Sequence, residues 1–151
     1  GGSCKVGVES TIVGFENGLP LIFRLGGIAI EQIETLIGKV NVRTHSTSNP
    51  NAPGQLQSHY APHKKVILGD LNQLMKEHTG NVVGILSFQQ DFHSAYQFIL
   101  APSGQLAEAA QNLFVALRTI EKMPVDLILA EPVADHGIGK AINDRLRRAA
   151  G

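Results

Sequence analysis

The sequence predicts an α/β fold: an open, mostly parallel sheet with flanking helices over residues 64–151. Two observations support this prediction. Short apolar runs typical of buried strands alternate with stretches in which apolar residues recur at helical spacing. Residues 125–130 form a predominantly apolar run, as expected for a strand at the centre of a parallel sheet. Such an arrangement is Rossmann-like.

Residues 5–40 are predicted to form two strands and one helix. Residues 6–13 alternate small or apolar with polar side chains, and residues 21–24 form a second short run after a turn at residues 16–18. The helix that follows presents one apolar face and ends at a glycine C-cap: Ile30, Ile33, Leu36, Ile37 and Gly38. Two strands and a helix cannot bury a core alone. Without a partner we expect this segment to be disordered, swapped between chains or abnormally packed.

Residues 41–63 are predicted to be an interdomain linker, because their composition shifts to Thr, Ser, Asn, Pro, Gly and His. The linker divides the chain into residues 1–40, an incomplete domain end, and residues 64–151, an accessory domain. The aromatic residue Tyr60 favours an ordered, functional loop over a passive tether.

The accessory domain begins with a short predicted strand at residues 66–68. Asp70 is predicted to N-cap the next helix, with Gln73 completing a capping box. Two further strands are predicted at residues 82–86 and 97–100.

The clearest helix is predicted at residues 106–121, with one apolar stripe at helical spacing. The stripe consists of Leu106, Ala109, Ala110, Leu113, Phe114, Leu117 and Ile120. A final helix carries Ile138, Ile142, Leu146 and Ala149, with arginines near its C-terminus at positions 145, 147 and 148. Cations are favoured there by the helix dipole.

Composition excludes several classes of protein. Thirteen Lys and Arg balance thirteen Asp and Glu, so the chain lacks the basic excess of a protein that holds nucleic acid by electrostatics alone. A single cysteine, Cys4, predicts no internal disulfide and is typical of a reducing compartment. No apolar run reaches the roughly 18 residues of a membrane helix, and no signal peptide is recognisable. We therefore expect a cytoplasmic protein without membrane contact, and interpret the unusual start as the middle of a longer chain.

Three ordered motifs carry a family resemblance. The first is Val8-Glu9-Ser10-Thr11-Ile12-Val13, followed by Arg24 and Gly26-Gly27 at a spacing of fourteen residues from the serine to the arginine. The second is Ala52-Pro53-Gly54 with Ser58-His59-Tyr60-Ala61-Pro62, and the third is Leu129-Ala130-Glu131-Pro132 with Ala141-Ile142-Asn143-Asp144-Arg145-Leu146. Together they resemble the C-terminal part of the two-domain, YrdC-like threonylcarbamoyl-AMP synthases. Residues 1–40 then resemble the end of the YrdC-like synthase domain.

The resemblance implies an enzyme that joins threonine and bicarbonate into a carbamate and adenylates it with ATP for a tRNA modification. It implies that Ser10 contacts L-threonine and that Arg24 and Tyr60 contact ATP, with Mg²⁺ in the full-length enzyme. The upstream half of the site is expected to lie outside this chain, which is predicted to be inactive alone. No residue is assigned a catalytic role. The tRNA-modification machinery is the expected partner.

Other interpretations of these residues stay open. Without the resemblance, Arg24 is a solvent-facing arginine, Ser10 a hydroxyl bonded to backbone, and Tyr60 an aromatic packed on the core. The linker also departs from the family, because Gln55 stands where methionine is common and Leu56-Gln57 replaces a more basic stretch. The alternative for the whole chain is a non-catalytic binding or docking module that gates the site or recruits partners.

Three further signals are discounted. His59 and His63 have the spacing of a helical metal pair, but Pro62 lies between them, so no metal site is predicted. The glycines before Lys140 fail the phosphate-loop pattern and predict an ordinary helix-entry turn. Cys4 has no paired base that would make it a nucleophile.

Overall fold

A computed structural model describes residues 6–43 and 62–151 of the chain. Its elements in chain order are β1 (Ile12–Glu16), β2 (Leu19–Arg24), α1 (Ile30–Ile37), β3 (Asn41–Val42), β4 (Val66–Leu68), α2 (Leu71–Glu77), β5 (Val83–Ser87), β6 (Gln97–Ile99), α3 (Leu106–Glu121), β7 (Leu127–Ala130) and α4 (Gly139–Ala150). Within these two ranges, every helix is too short or too polar to cross a membrane.

The accessory sheet is four-stranded and parallel, in the order β4-β7-β5-β6. Strand β7 lies between β4 and β5 and is buried along its whole length. Leu127 and Leu129 pack with α2 on one face, while Ile128 and Ala130 pack with α3 and α4 on the other. Apolar residues at consecutive positions are what a strand covered on both faces requires. The predicted α/β fold with a parallel sheet and flanking helices is confirmed.

The N-terminal sheet has the order β1-β2-β3, with β1 antiparallel and β3 parallel to β2. The turn between β1 and β2 is formed by Asn17 and Gly18, whose φ angles are 52° and 77°. Two positive φ values in a two-residue hairpin loop suit the right-handed twist of the flanking strands, which explains the Asn-Gly pair. The turn predicted at residues 16–18 is therefore confirmed.

The strand predicted at residues 6–13 is wrong in its first part, because β1 begins only at Ile12. Gly7 has a φ of 76°, a left-handed conformation that no regular strand contains. Residues 9–11 make hydrogen bonds to the Arg24 side chain at the end of β2 and to the loop that follows, instead of to a strand ladder. Alternating polarity alone did not reveal this change of partner.

Two predicted details of the accessory helices differ in the structure. Asp70 does cap α2, accepting a bond from the Gln73 amide at 2.9 Å, but the Gln73 side chain donates to Glu77 instead of completing the capping box. Phe114, assigned to the buried stripe of α3, is an exposed residue at the edge of that stripe. Arg148 lies in the last turn of α4, as predicted, and is buried there with its Nε donating to Asp144.

Helix α4 connects the two sheets. Ile142, Leu146 and Ala149 belong to the core beneath the accessory sheet. On its other side, Ala141 packs in a small cluster with Ile22, Leu25 and Ile30 of the N-terminal segment. Ile22 is fully buried in this cluster, so the N-terminal segment obtains part of its packing from α4. The expectation that residues 1–40 are disordered, swapped or abnormally packed without an upstream partner stays a prediction.

A polar contact joins the same two regions. The Glu31 carboxylate of α1 accepts a 2.8 Å hydrogen bond from Lys140 Nζ and a weaker one of 3.3 Å from the Gly137 amide. The hydrogen bond from Lys140 is the main cause that lowers the pKa of Glu31 to about 2. The contact spans 109 residues of sequence and holds α1 against the start of α4.

We expect Glu31 and Lys140 to stabilise the fold together by less than about 1 kcal/mol at pH 7, because their side chains are 47% and 29% exposed and solvent screens the pair. The folded-state pKa of Glu31 lies below its ordinary value, so the stabilisation is fully present above about pH 4.5. It disappears as the pH falls towards 2.

A double-mutant cycle of Glu31→Gln and Lys140→Met, measured by urea unfolding at several pH values, checks this prediction. Lys39→Met replaces Lys140→Met in a control cycle, which should give no coupling. A coupling that is zero at pH 7, or that grows as the pH falls, would contradict the assignment.

Candidate functional site

The loop after β2 is fastened to the segment before β1. The Gly27 amide donates to the Glu9 carbonyl at 2.9 Å. The Thr11 hydroxyl donates to the Ile28 carbonyl at 2.8 Å and accepts from the Ile28 amide at 3.1 Å. These bonds hold residues 9–11 against residues 25–28 at the open end of the β1–β2 hairpin.

Gly26 makes this close approach possible. A Cβ atom at residue 26 would lie 2.2 Å from the Glu9 carbonyl oxygen and 2.3 Å from the Ser10 carbonyl carbon. Both neighbours are backbone atoms, so any side chain at this position would push the segment carrying Ser10 away from the loop. Gly26, the first of the glycine pair noted in the sequence, is therefore required for the shape of the site.

Arg24 and Ser10 are in direct contact. Arg24 Nη2 donates to Ser10 Oγ at 2.7 Å, and Arg24 Nε donates to the Ser10 carbonyl at 2.9 Å. The two bonds form a fork from one planar guanidinium to one residue, a geometry that lysine cannot reproduce. Arg24 is half-buried and Ser10 is exposed, so the hydroxyl lies at the surface while the arginine anchors it.

This arrangement suits recognition of an anion beside a polar small molecule. A guanidinium is a planar cation whose N–H donors match the spacing of carboxylate and phosphate oxygens. The Ser10 hydroxyl accepts from Arg24, so its own hydrogen is directed to another acceptor, such as a carboxylate or hydroxyl oxygen. Both residues predicted from sequence thus lie in one place. The third, Tyr60, lies outside the described residues.

The interpretation of Arg24 as a solvent-facing arginine does not describe its geometry, because the side chain folds back onto Ser10. The interpretation of Ser10 as a hydroxyl bonded to backbone does not either, since its partner is a side chain. The sequence reasoning missed Thr11, whose hydroxyl clamps the loop. The only sequence feature that pointed to Thr11 was its position next to Ser10.

A second missed residue, Arg43, lies just after β3. Its guanidinium donates to both carboxylate oxygens of Glu16, at 2.7 and 2.6 Å. The hydrogen bond from Arg43 lowers the pKa of Glu16. This ion pair ties the end of β3 to the tip of the β1–β2 hairpin, so the first residues of the predicted linker, 41–43, are joined to the N-terminal sheet.

The discounted signals can now be placed. In residues 6–43 and 62–151, no group of three or more His, Cys, Asp or Glu side chains could hold a metal ion. The turn at Gly137 and Lys140 is occupied by a carboxylate of the same chain, that of Glu31. Cys4 and His59 lie outside the described residues.

Comparison with known proteins gives a consistent result. The family model for the C-terminal domain of threonylcarbamoyl-AMP synthase matches residues 28–151. Curated threonylcarbamoyl-AMP synthases from Pyrococcus abyssi and Bacillus subtilis are each 34% identical to the chain, covering 100% of it and 48% and 47% of the relatives. The crystal structure of P. abyssi Sua5 complexed with L-threonine matches with a TM-score of 0.84 at 34% identity, covering 100% of this chain and 48% of that one.

The chain spans about half the length of the curated relatives it matches. The match of the family model extends from the start of α1 to the end of α4 and so includes most of the described structure. The chain belongs to the threonylcarbamoyl-AMP synthase family, of which it carries the C-terminal domain.

Proposed function

We propose that the protein containing this chain synthesises L-threonylcarbamoyl-AMP from L-threonine, bicarbonate and ATP, for threonylcarbamoyladenosine modification of tRNA. The observation that carries the proposal is the fork from Arg24 to Ser10 on a glycine-locked loop. In this fork Ser10, the proposed contact of the amino acid, lies next to Arg24, the proposed contact of the nucleotide, in a chain that belongs to this family.

The reaction requires this proximity. The threonine amine attacks the bicarbonate carbon and water leaves, giving a carbamate. A carbamate oxygen then attacks the α-phosphorus of ATP, and the bond to pyrophosphate breaks. Because the second step joins the two substrates, the groups that hold them must lie close together. In our proposal Ser10 donates to an oxygen of threonine, and Arg24 with Gly26-Gly27 binds a phosphate of the nucleotide.

The remaining assignments rest on the family. We propose that Tyr60 covers the nucleotide and excludes water. Mg²⁺ is a proposed companion of ATP, held there mainly by the phosphates and water, and no step of this chain is assigned to it. We further propose a cytoplasmic location and the tRNA-modification machinery as the partner that receives the product.

The upstream half of the protein is a proposed structural partner of the N-terminal sheet. Side chains of β1, β2 and α1 leave large apolar groups in solvent, including Leu36, which is 85% exposed. These are Val13, Phe15, Leu19, Leu36 and Ile37. Several large apolar side chains exposed on one small segment are the composition of an interface. We propose that the upstream half covers it, completes the synthase site, and is required for activity.

Pyrophosphate release from ATP, dependent on threonine and bicarbonate, tests the proposed function. It should be measured for this chain and for the protein extended upstream to its natural start. We expect activity only in the extended protein. Absence of activity in both would favour the docking module, and activity in the short chain would mean that its own residues form a complete site.

In the extended protein, we expect Arg24→Lys to raise KM for both ATP and threonine by about tenfold, equivalent to ~1.4 kcal/mol each. Lysine keeps the charge but loses the fork that holds Ser10 and the planar guanidinium that we propose binds a phosphate. Steady-state pyrophosphate release gives both constants. Arg147→Lys, an exposed change on α4, is the matched control and should leave both unchanged. An unaltered KM for ATP in Arg24→Lys would remove Arg24 from the nucleotide site.

Ser10→Ala should raise KM for threonine by about 2- to 10-fold, the usual value of one hydrogen bond, and leave KM for ATP nearly unchanged. The same assay separates the two substrates. Ser94→Ala, in the accessory domain, controls for the loss of a serine hydroxyl. If Ser10→Ala changed only the requirement for ATP, the roles assigned to Ser10 and Arg24 would have to be exchanged.

A further inference from the structure

Helix α3 has an outer face that the accessory domain does not use. Its inner residues fill the main core, but Phe114 and Val115 are 43% and 54% exposed. The guanidinium carbon of Arg118 lies 5.5 Å from the centroid of the Phe114 ring. With Thr119 and Lys122 these three residues, here called the outer α3 face, line an open concavity of about 420 Å³.

Phe114 and Val115 are adjacent exposed apolar residues that lie outside the main core cluster. Removing the exposed parts of these two apolar side chains from water would favour docking. The cation–π interaction between Arg118 and the Phe114 ring becomes stronger when water is excluded from the pair. The outer α3 face therefore has the composition of an interface with a cationic edge.

The face continues a contact that the structure already contains. Gly7 lies against the first half of α3 so closely that a Cβ atom would be 2.1 Å from the Ala110 carbonyl oxygen and 2.2 Å from Gln111 Cα. Gln111 lies on the same side of the helix as Phe114, Val115 and Arg118, which follow it by three, four and seven residues. The N-terminal segment thus meets the accessory domain on this side of α3.

We propose that the outer α3 face is an interface with the upstream synthase half of the same protein. The whole of this chain matches two relatives but covers only 48% and 47% of their lengths. About half of each relative therefore has no counterpart in this chain. That half would join the chain on the N-terminal side of Gly7, next to α3. The expected counterpart is an apolar patch edged by carboxylates that face Arg118 and Lys122. The inference rests on the proposed function only in requiring that a synthase half precedes this chain.

Such an interface gives the accessory domain a role in the reaction without any reacting group. It would hold the upstream half at two places, the N-terminal sheet and the outer α3 face. Loss of either contact would let the halves of the site move relative to each other. A second copy of the chain is the competing occupant, and its binding would depend on protein concentration.

The test is the rate at which maleimide labels a Val115→Cys variant, in a Cys4→Ser background, in this chain and in the extended protein. Peptide mapping by mass spectrometry reads the label at residue 115 alone. Val82→Cys is the matched control, because Val82 is also a valine of the accessory domain and is 47% exposed. Thermal unfolding of each variant shows whether the substitution is tolerated.

We expect labelling of the Val115→Cys variant to be at least about tenfold slower in the extended protein, since a buried thiol reacts only when the interface opens. The Val82→Cys variant should react equally in both. Equal rates for Val115→Cys in the two proteins would overturn the inference, as would protection of the short chain that grows with its concentration. Pyrophosphate release by the extended protein reports separately on the proposed function, so an active enzyme with an unprotected thiol refutes the interface alone.

Discussion

Burial of helix α4 on more than one side is the constraint on which the other features depend. Residues 141–146 are buried without interruption, although they include charged and amide side chains. Ile142 and Leu146 belong to the accessory core, while Ala141 belongs to the cluster beneath β2 and α1. Because one helix contributes to both cores, the position of the N-terminal sheet is determined by the accessory domain. The contact between Glu31 and Lys140 then sets the approach of α1.

The polar groups of α4 restrict how it can pack. The Asn143 side chain exchanges two 2.8 Å hydrogen bonds with the backbone of Val133, so the helix has one register against the loop after β7. Asp144 and Arg148, each 2% exposed, form an ion pair at 3.0 Å. A buried pair adds little net stability, but removing one partner typically costs about 3–5 kcal/mol. Our hypothesis is that these polar groups specify a single packing of α4, which an apolar helix would not do. A variant with Asp144→Leu and Arg148→Met that still gave uniquely resolved side-chain NMR signals would contradict it.

Periodicity predicted the accessory domain well, because its signals are local. The bounds of α3 and the buried strand β7 follow from apolar spacing, and the Asn17-Gly18 turn follows from backbone preference. The predictions that were wrong depended on distant partners. Residues 6–11 leave strand geometry because Gly7 meets α3 and residues 9–11 meet the loop after β2.

The candidate site was predictable in its membership but not in its geometry. The spacing of Ser10 and Arg24 indicated both residues through the family resemblance, yet nothing in it showed that one holds the other. Thr11 and Arg43 were missed because a hydroxyl clamp and a hairpin ion pair have no sequence signature of their own. The roles assigned to Ser10, Arg24 and Tyr60 stay predictions, and so do the domain boundaries at residues 40 and 63.

Native-state hydrogen exchange of the Ile142→Ala variant tests most directly whether α4 couples the two sheets. Loss of this fully buried side chain should destabilise the accessory core by about 2–5 kcal/mol. If α4 is shared, the opening free energies of the backbone amides in β2 and β7 will fall together by similar amounts. If those of β7 fall while those of β2 keep their original values, the N-terminal sheet is stabilised independently, and the account of α4 as the shared element is wrong.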